Sequence, residues 1–288
     1  MPTFSNQATL SYNASTVSSN VVVGEVVSSL NLIKTALSAV YAPGDVVSYV
    51  ISITNSGTAD FTGLTMTDDL GRYEFGDMEL VPLTYVEDSA RIFINGEPQD
   101  DAEVASENPL VIEGIDVPAG GNVMILYSAR VNEFAEPCGG TITNTAALDG
   151  DCPCSDAADS AEIETVCEAR LSIAKQLCPC VITRCDQPVT FSFTVSNTGC
   201  CPALANDDVV ITDTFDPPIT ITSVTFNGEE WTEGAYYTYD SETGEFATVS
   251  GQVTVPAATY TQDPETGAWT AVPGESILVV TGVFCPGE

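Results

Sequence analysis

The chain contains two lysines, Lys34 and Lys175, and each closes a short alternating apolar run: Leu30, Leu32, Lys34 and Leu171, Ile173, Lys175. Side chains of an extended strand alternate between faces, so both ammonium groups are expected on the inward face with the apolar residues. The same parity sets Asp68 with Leu64 and Met66, Asp213 with Val209 and Ile211, Asn144 with Ile142 and Ala146, and Asn6 with Phe4 and Ala8. Burial lowers a lysine pKa and raises an aspartate pKa, which prepares a nucleophilic amine beside a proton donor. Such an amine can attack an asparagine carboxamide while the acid polarises the carbonyl and shuttles protons; ammonia leaves and an isopeptide crosslink remains. The candidates are therefore Lys34, Asp68 and Asn144 in one set and Lys175, Asp213 and Asn6 in the other, with Asp68 and Asp213 as assisting acids. The plainer alternative is a buried Lys–Asp ion pair hydrogen-bonded to Asn.

The elements that must position these residues are strands. Short runs of Val, Ile, Thr, Tyr and Phe alternate with Gly, Pro, Asn and Asp breaks, and helical periodicity is nearly missing. The pattern predicts an all-β chain of two tandem immunoglobulin-like sandwiches. Internal repetition supports two copies of one unit. Leu30–Lys34 matches Leu171–Lys175, the turn Thr54-Asn-Ser-Gly57 matches Ser196-Asn-Thr-Gly199, and Leu64–Asp68 matches Val209–Asp213. Ile94-Asn-Gly-Glu97 matches Phe226-Asn-Gly-Glu229, both with the Asn-Gly pair of a tight hairpin.

The copies differ in how they end. After Val123–Val131, copy one continues through Thr141–Leu148 and a strand near Ser160–Val166 that leads into copy two. Copy two reaches Glu288 just after its matching strand, Ile277–Phe284, without such a hairpin. A related hairpin stands at the other end, Thr3–Leu10 and Ser19–Val27, leading into copy one. The expected layout is residues 1–29 as an N-terminal donor arm, 30–166 as sandwich one and 167–288 as sandwich two. An incomplete sandwich invites pairing with a strand from another chain, and donor and acceptor surfaces that differ propagate head to tail into a filament.

Composition agrees with an extracellular structural role. With 7 basic against 41 acidic residues, a net charge of −34 repels nucleic acid and anionic lipid. Histidine is absent, which excludes His-dependent serine or cysteine hydrolase chemistry. The chain is read as no enzyme beyond autocatalytic crosslinking. No apolar run reaches membrane-spanning length, and residues 1–29 lack the basic start and apolar core of a secretory signal, which leaves the export route open. The ten cysteines, Cys138, Cys152, Cys154, Cys167, Cys178, Cys180, Cys185, Cys200, Cys201 and Cys285, suit disulfides in an oxidising compartment. Cys152-Pro-Cys154 and Cys178-Pro-Cys180 are spaced too closely for the usual structural zinc site, so no metal and no cofactor is expected. Asp207-Asp208 reads as a solvated acidic face rather than a calcium loop. Asn13-Ala-Ser15 has the form of a glycosylation acceptor.

Through Lys34 and Lys175, Thr67-Asp68 and Thr212-Asp213, and Thr143-Asn-Thr-Ala146, nearly the whole chain resembles the conserved-repeat, immunoglobulin-like domains of bacterial and archaeal surface proteins. The resemblance implies Lys–Asn isopeptide bonds assisted by an acid, at Lys34, Asp68 and Asn144 and at Lys175, Asp213 and Asn6. Asn6 departs from that pattern in being followed by Gln7 where copy one has Thr145. The resulting expectation is a pilus-like fibre subunit on a cell or spore surface, joined to its own copies by donor strands and crosslinks. The rival reading is a surface adhesin or surface-layer binding module carried on a repeat stalk, with Trp231, Tyr236, Tyr237 and Tyr239 as an aromatic patch, although these residues suit core or cross-strand pairs better.

Overall fold

The computed structural model describes residues 3–25, 29–100, 102–150, 157–184 and 186–284. Cys152, Cys154, Cys185 and Cys285 lie outside these residues. Among the described residues the only helical element is a 3-10 turn, Ala205–Asp207, and the rest of the regular structure is strand. The chain divides into two compact units, one of Met1–Glu136 with Gly140–Thr165 and one of Pro137–Gly139 with Val166–Glu288. The short segment Pro137–Gly139 thus groups with the second unit, ahead of the boundary expected from the repeat.

In the first unit one sheet runs in the order Glu97–Pro98, Arg91–Ile94, Asn122–Val131, Val46–Asn55, Leu30–Ala36. The other runs Glu103–Glu107, Leu110–Val117, Phe61–Asp68, Thr141–Asp149, Ala158–Thr165, Val40–Tyr41. Alternation decides which residues enter the core: in Val46–Asn55, Val47, Tyr49, Ile51 and Ile53 are buried, and in Thr141–Asp149, Ile142, Asn144, Ala146 and Leu148. Thr141–Asp149 and Ala158–Thr165 form a hairpin that closes the second sheet, with Ala146 opposite Asp68 and Ala161 opposite Asn144.

The second unit repeats five strands of the first of these sheets in the same order, Leu171–Cys178, Pro188–Asn197, Gly274–Val283, Thr220–Phe226, Glu229–Glu230, while Leu83–Tyr85, a sixth strand paired with Asn122–Val131 in the first unit, has no separate counterpart among the described residues. Its other sheet has three strands, in the order Thr212–Thr214, Glu245–Thr248, Tyr237–Tyr239. Thr212–Thr214, the counterpart of the Asp68 strand, is the edge of that sheet, and no closing hairpin lies beside it among the described residues.

Both Asn-Gly turns form with residues in the left-handed region, Asn95 and Gly96 at φ 50° and 85°, Asn227 and Gly228 at φ 52° and 86°. The repeated Asn of the other turn does more than turn the chain. Asn55 and Asn197 are 1% and 0% exposed. Each amide donates to loop carbonyls, Asn55 to Ala59, Val117 and Pro118 and Asn197 to Cys201 and Pro256, while each side-chain oxygen accepts the amide of Gly57 or Gly199.

The N-terminal segment is a separate hairpin. Thr3–Asn6 pairs with Val22–Glu25, and Thr9–Tyr12 with Ser15–Ser18, around a turn with Asn13 and Ala14 at positive φ. The single strand expected over Thr3–Leu10 breaks at Gln7 and Ala8. There the Gln7 side chain donates to the Ser19 carbonyl, and Ser19 Oγ accepts the Ala8 amide.

Candidate functional site

In the first unit the expected triad is assembled in the core. Lys34 arrives on Leu30–Ala36, Asp68 at the end of Phe61–Asp68 and Asn144 on the closing hairpin, and all three are buried. Lys34 Nζ lies 2.6 Å from Asp68 Oδ2, and both side chains are fully shielded from solvent. The same Asp68 oxygen accepts the Tyr127 hydroxyl at 2.6 Å, and that hydroxyl accepts Asn144 Nδ2 at 3.0 Å. Asn144 Oδ1 is buried and accepts no hydrogen bond among the described residues, which leaves the carboxamide carbonyl open to polarisation. The lysine ammonium also sits over the Tyr49 and Tyr127 rings, at 5.1 and 6.0 Å from their centroids.

Burial is the dominant electrostatic influence at this site. It pulls Lys34 below the ordinary lysine value, against the pull of Asp68, and pushes Asp68 above the ordinary carboxyl value, against Lys34 and the Tyr127 hydroxyl. The pair is therefore biased toward neutral amine and neutral acid. Tyr127 is pushed well above the usual phenol value by the same burial and stays protonated.

Tyr127 was not among the residues singled out by spacing. In the run Val123–Val131 it occupies an inward parity position, where a tyrosine reads as core packing. Its ring is indeed core, stacked on Tyr49 at 5.4 Å. The signal that marks it is that a hydroxyl carried into an apolar layer must find a partner.

The second set is only partly brought together. Lys175 faces inward as its parity requires, over Phe191, Phe193 and Phe215 at 5.1, 5.3 and 5.6 Å, and pairs with Asp213 at 2.5 Å. Yet the Lys175 and Asp213 side chains remain 41% and 16% exposed, a correction to the expected burial. The physical reason is the three-stranded second sheet: among the described residues, nothing beside Thr212–Thr214 plays the part that the hairpin of Thr141–Asp149 and Ala158–Thr165 plays over Lys34. Every residue of Leu171–Cys178 is exposed, whereas Leu30–Ala36 alternates buried and exposed. Strand register equates Tyr49 with Phe191 and Tyr127 with Val280, so this unit carries neither tyrosine hydroxyl.

Asn6 lies exposed on the N-terminal hairpin. The registers there nonetheless coincide with those of the closing hairpin. Asn6 faces Val22 as Asn144 faces Ala161, Phe4 faces Gly24 as Ile142 faces Ile163, and Thr3 faces Glu25 as Thr141 faces Glu164. Phe4 covers Gly24 so closely that a Cβ there would meet its ring at 2.3 Å, so one large and one small residue replace two isoleucines.

Of the cysteines, Cys167 and Cys201 form a disulfide within the second unit. Cys138, Cys178, Cys180 and Cys200 are free; Cys138 Sγ lies 4.0 Å from the Cys200 carbonyl, and burial together with the Cys138 thiol pushes Cys200 up to about 11. Asp207 caps the 3-10 turn at Leu204, and Asp208 bonds Ser250. Trp231 and Tyr237 are buried, with Trp231 stacked between Phe226 and Tyr236, and Tyr239 bonds the Ile219 backbone, so these aromatics are used in packing.

No family model and no curated protein matches the chain. Solved structures resemble it at low identity. The major pilin subunit BcpA of Bacillus cereus is 12% identical at TM-score 0.38, covering 85% of this chain and 65% of its own. The full-length major pilin RrgB of Streptococcus pneumoniae is 13% identical at TM-score 0.31, covering 90% and 38%. ACE19, the collagen-binding subdomain of the Enterococcus faecalis surface protein ACE, is 8% identical at TM-score 0.31, covering 46% and 94%.

Proposed function

We propose that the chain is a structural subunit of an extracellular fibre in which residues 1–29 of one copy complete the second unit of the next. The observation that carries this reading is the N-terminal hairpin, paired in the register of the closing hairpin of unit one but with its apolar face uncovered. Phe4, Leu10 and Val22 are 61%, 62% and 57% exposed. A two-stranded hairpin is marginal on its own and needs a sheet or core to rest on. Burying each such side chain contributes about 1.5–3 kcal/mol. The edge strand Thr212–Thr214 and the exposed Lys175 strand match what this hairpin would cover, with Ala8 opposite Asp213 and Leu10 beside Ile211 by analogy with Ala146 and Leu148.

Docking of that kind would desolvate Lys175 and Asp213 and set Asn6 beside them, as Asn144 stands beside Lys34 and Asp68. The amine would then displace ammonia from Asn6, joining successive subunits by an amide bond. In unit one the same reaction joins Lys34 to Asn144. Because donor and acceptor surfaces differ, the contact propagates. The strong negative charge keeps uncommitted subunits apart.

The test is complementation. Protein lacking residues 1–29 should bind a labelled peptide of that sequence and gain amide protection along Thr212–Thr214 and Leu171–Cys178, and Phe4→Asp in the peptide should abolish both. A peptide that neither binds nor protects these strands overturns the reading.

A further inference from the structure

Tyr127 stands between the acid and the amide of the first unit in a way that the lysine–aspartate–asparagine chemistry does not by itself explain. Its hydroxyl touches Asp68 Oδ2 at 2.6 Å and Asn144 Nδ2 at 3.0 Å, so the acid reaches the carboxamide nitrogen through the phenol. That nitrogen is the leaving group. Amide nitrogen departs only after it gains a proton, and the hydroxyl that reaches this nitrogen is that of Tyr127.

We propose that Tyr127 is the proton relay through which the amide nitrogen of Asn144 leaves. The inference rests on the crosslink reading above and adds to it a residue and a step. Lys34 Nζ, as the neutral amine, forms a bond to Asn144 Cγ. The hydrogen-bond chain reverses: Asp68, as the neutral acid, donates to the Tyr127 oxygen as the Tyr127 hydroxyl donates to Nδ2. The Cγ–Nδ2 bond breaks, ammonia departs, and the surplus proton on Nζ passes to the carboxylate left at Asp68 Oδ2. The amine has lost one hydrogen and the departing nitrogen has gained one, so Asp68 and Tyr127 end as they began and no oxidant or cofactor is consumed.

The second unit sharpens the inference. With Phe191 and Val280 in place of Tyr49 and Tyr127, and Phe4 and Ala8 flanking Asn6 on its inward face, a junction there has no phenol between acid and amide. Crosslinking between subunits is therefore slower than crosslinking within unit one, and subunits dock before they are locked.

The experiment uses the full chain, pulse-labelled, with intact mass followed over time for loss of ammonia and peptide mapping to assign it to Lys34–Asn144. Tyr127→Phe removes one oxygen and keeps the ring stack; it should slow this loss about 100-fold, the usual contribution of a placed acid–base group. Site-specific difluorotyrosine at 127 keeps a hydroxyl but makes it more acidic, and should react far faster than Tyr127→Phe while shifting the pH profile of the rate. A purely structural hydroxyl would leave that profile unmoved. Both variants maturing at the wild-type rate and pH dependence would overturn the relay while leaving the crosslink intact. A wild-type chain that never loses ammonia at Lys34–Asn144 would overturn the crosslink and the relay together.

Discussion

The two units carry the same strand order, the same Asn-Gly turn and the same Asn-anchored loop, yet their lysine strands differ: Leu30, Leu32 and Lys34 are 6%, 4% and 4% exposed, while Leu171 and Ile173 are 39% and 57% exposed. Equal alternation in sequence thus gives unequal burial. What separates the units is the closing hairpin Thr141–Thr165, which covers one lysine and has no counterpart over the other among the described residues. Inward parity gives a side chain its direction; an added layer takes it out of water. A lysine–aspartate pair that is half in solvent is an ordinary ion pair, whereas the pair under a hairpin loses the solvation that favours its charged forms.

That contrast can be broken most severely at the acids. Asp68→Ala leaves the buried Lys34 side chain without its partner and should cost about 3–5 kcal/mol. Asp213→Ala, beside a lysine that still reaches solvent, should cost less than about 1 kcal/mol in the free subunit. Denaturant melts that follow each unit separately check this, and equal losses would remove the distinction between the centres.

The shared features should behave alike. Asn55→Ala and Asn197→Ala each remove a buried side chain that ties loop carbonyls to a glycine amide, and each should destabilise its own unit by about 1–3 kcal/mol. A large loss in one unit alone would show that the repeat is less faithful than the hydrogen bonds indicate.

The pH dependence of ammonia loss in unit one follows from the pair. Lys34 is lowered, so its amine becomes available below the ordinary lysine range; Asp68 is raised, so its acid form persists above the ordinary carboxyl range. The reactive form holds one proton on the pair. As pH falls a second proton silences the amine, and as pH rises the acid is lost, so the rate should be bell-shaped, with both limbs lying between the ordinary carboxyl and ordinary lysine ranges. Each pH unit beyond either limb should cost about tenfold, equivalent to about 1.4 kcal/mol. A rate that rises steadily to the pKa of free lysine would contradict the assigned burial.

The smallest effect concerns the turns. Gly96→Ala and Gly228→Ala meet no neighbouring atom but force a side chain into positive φ, and each should cost about 1 kcal/mol in its own unit.

Much of this was legible in the sequence because period two is a strong constraint. Lys34, Asp68 and Asn144 fall on inward positions, and the structure brings all three into one core. The Asn-Gly turns were legible because few other residues tolerate their dihedrals. Three features were not. Tyr127 is hidden by its own ring, since an aromatic in an alternating strand is accounted for by packing alone. The loop anchors Asn55 and Asn197, one in each unit, look in sequence like turn chemistry, because their partners Val117, Pro118 and Pro256 are distant along the chain. The exposure of Lys175 depends on the layer above it, which no local pattern specifies.

If one molecule's Asn6 meets Lys175 and Asp213 of another, the bond between them is read by denaturing electrophoresis of assembled, boiled and reduced protein with peptide mapping of the bands. Neither heat nor reductant cleaves an amide, so wild-type protein should run as a ladder of multimers yielding a branched fragment that joins Asn6 to Lys175. Lys175→Arg, whose guanidinium stays protonated, and Asn6→Ala should both collapse the ladder to monomer. Wild-type fibres that dissolve to monomer under the same treatment would contradict the crosslink between subunits.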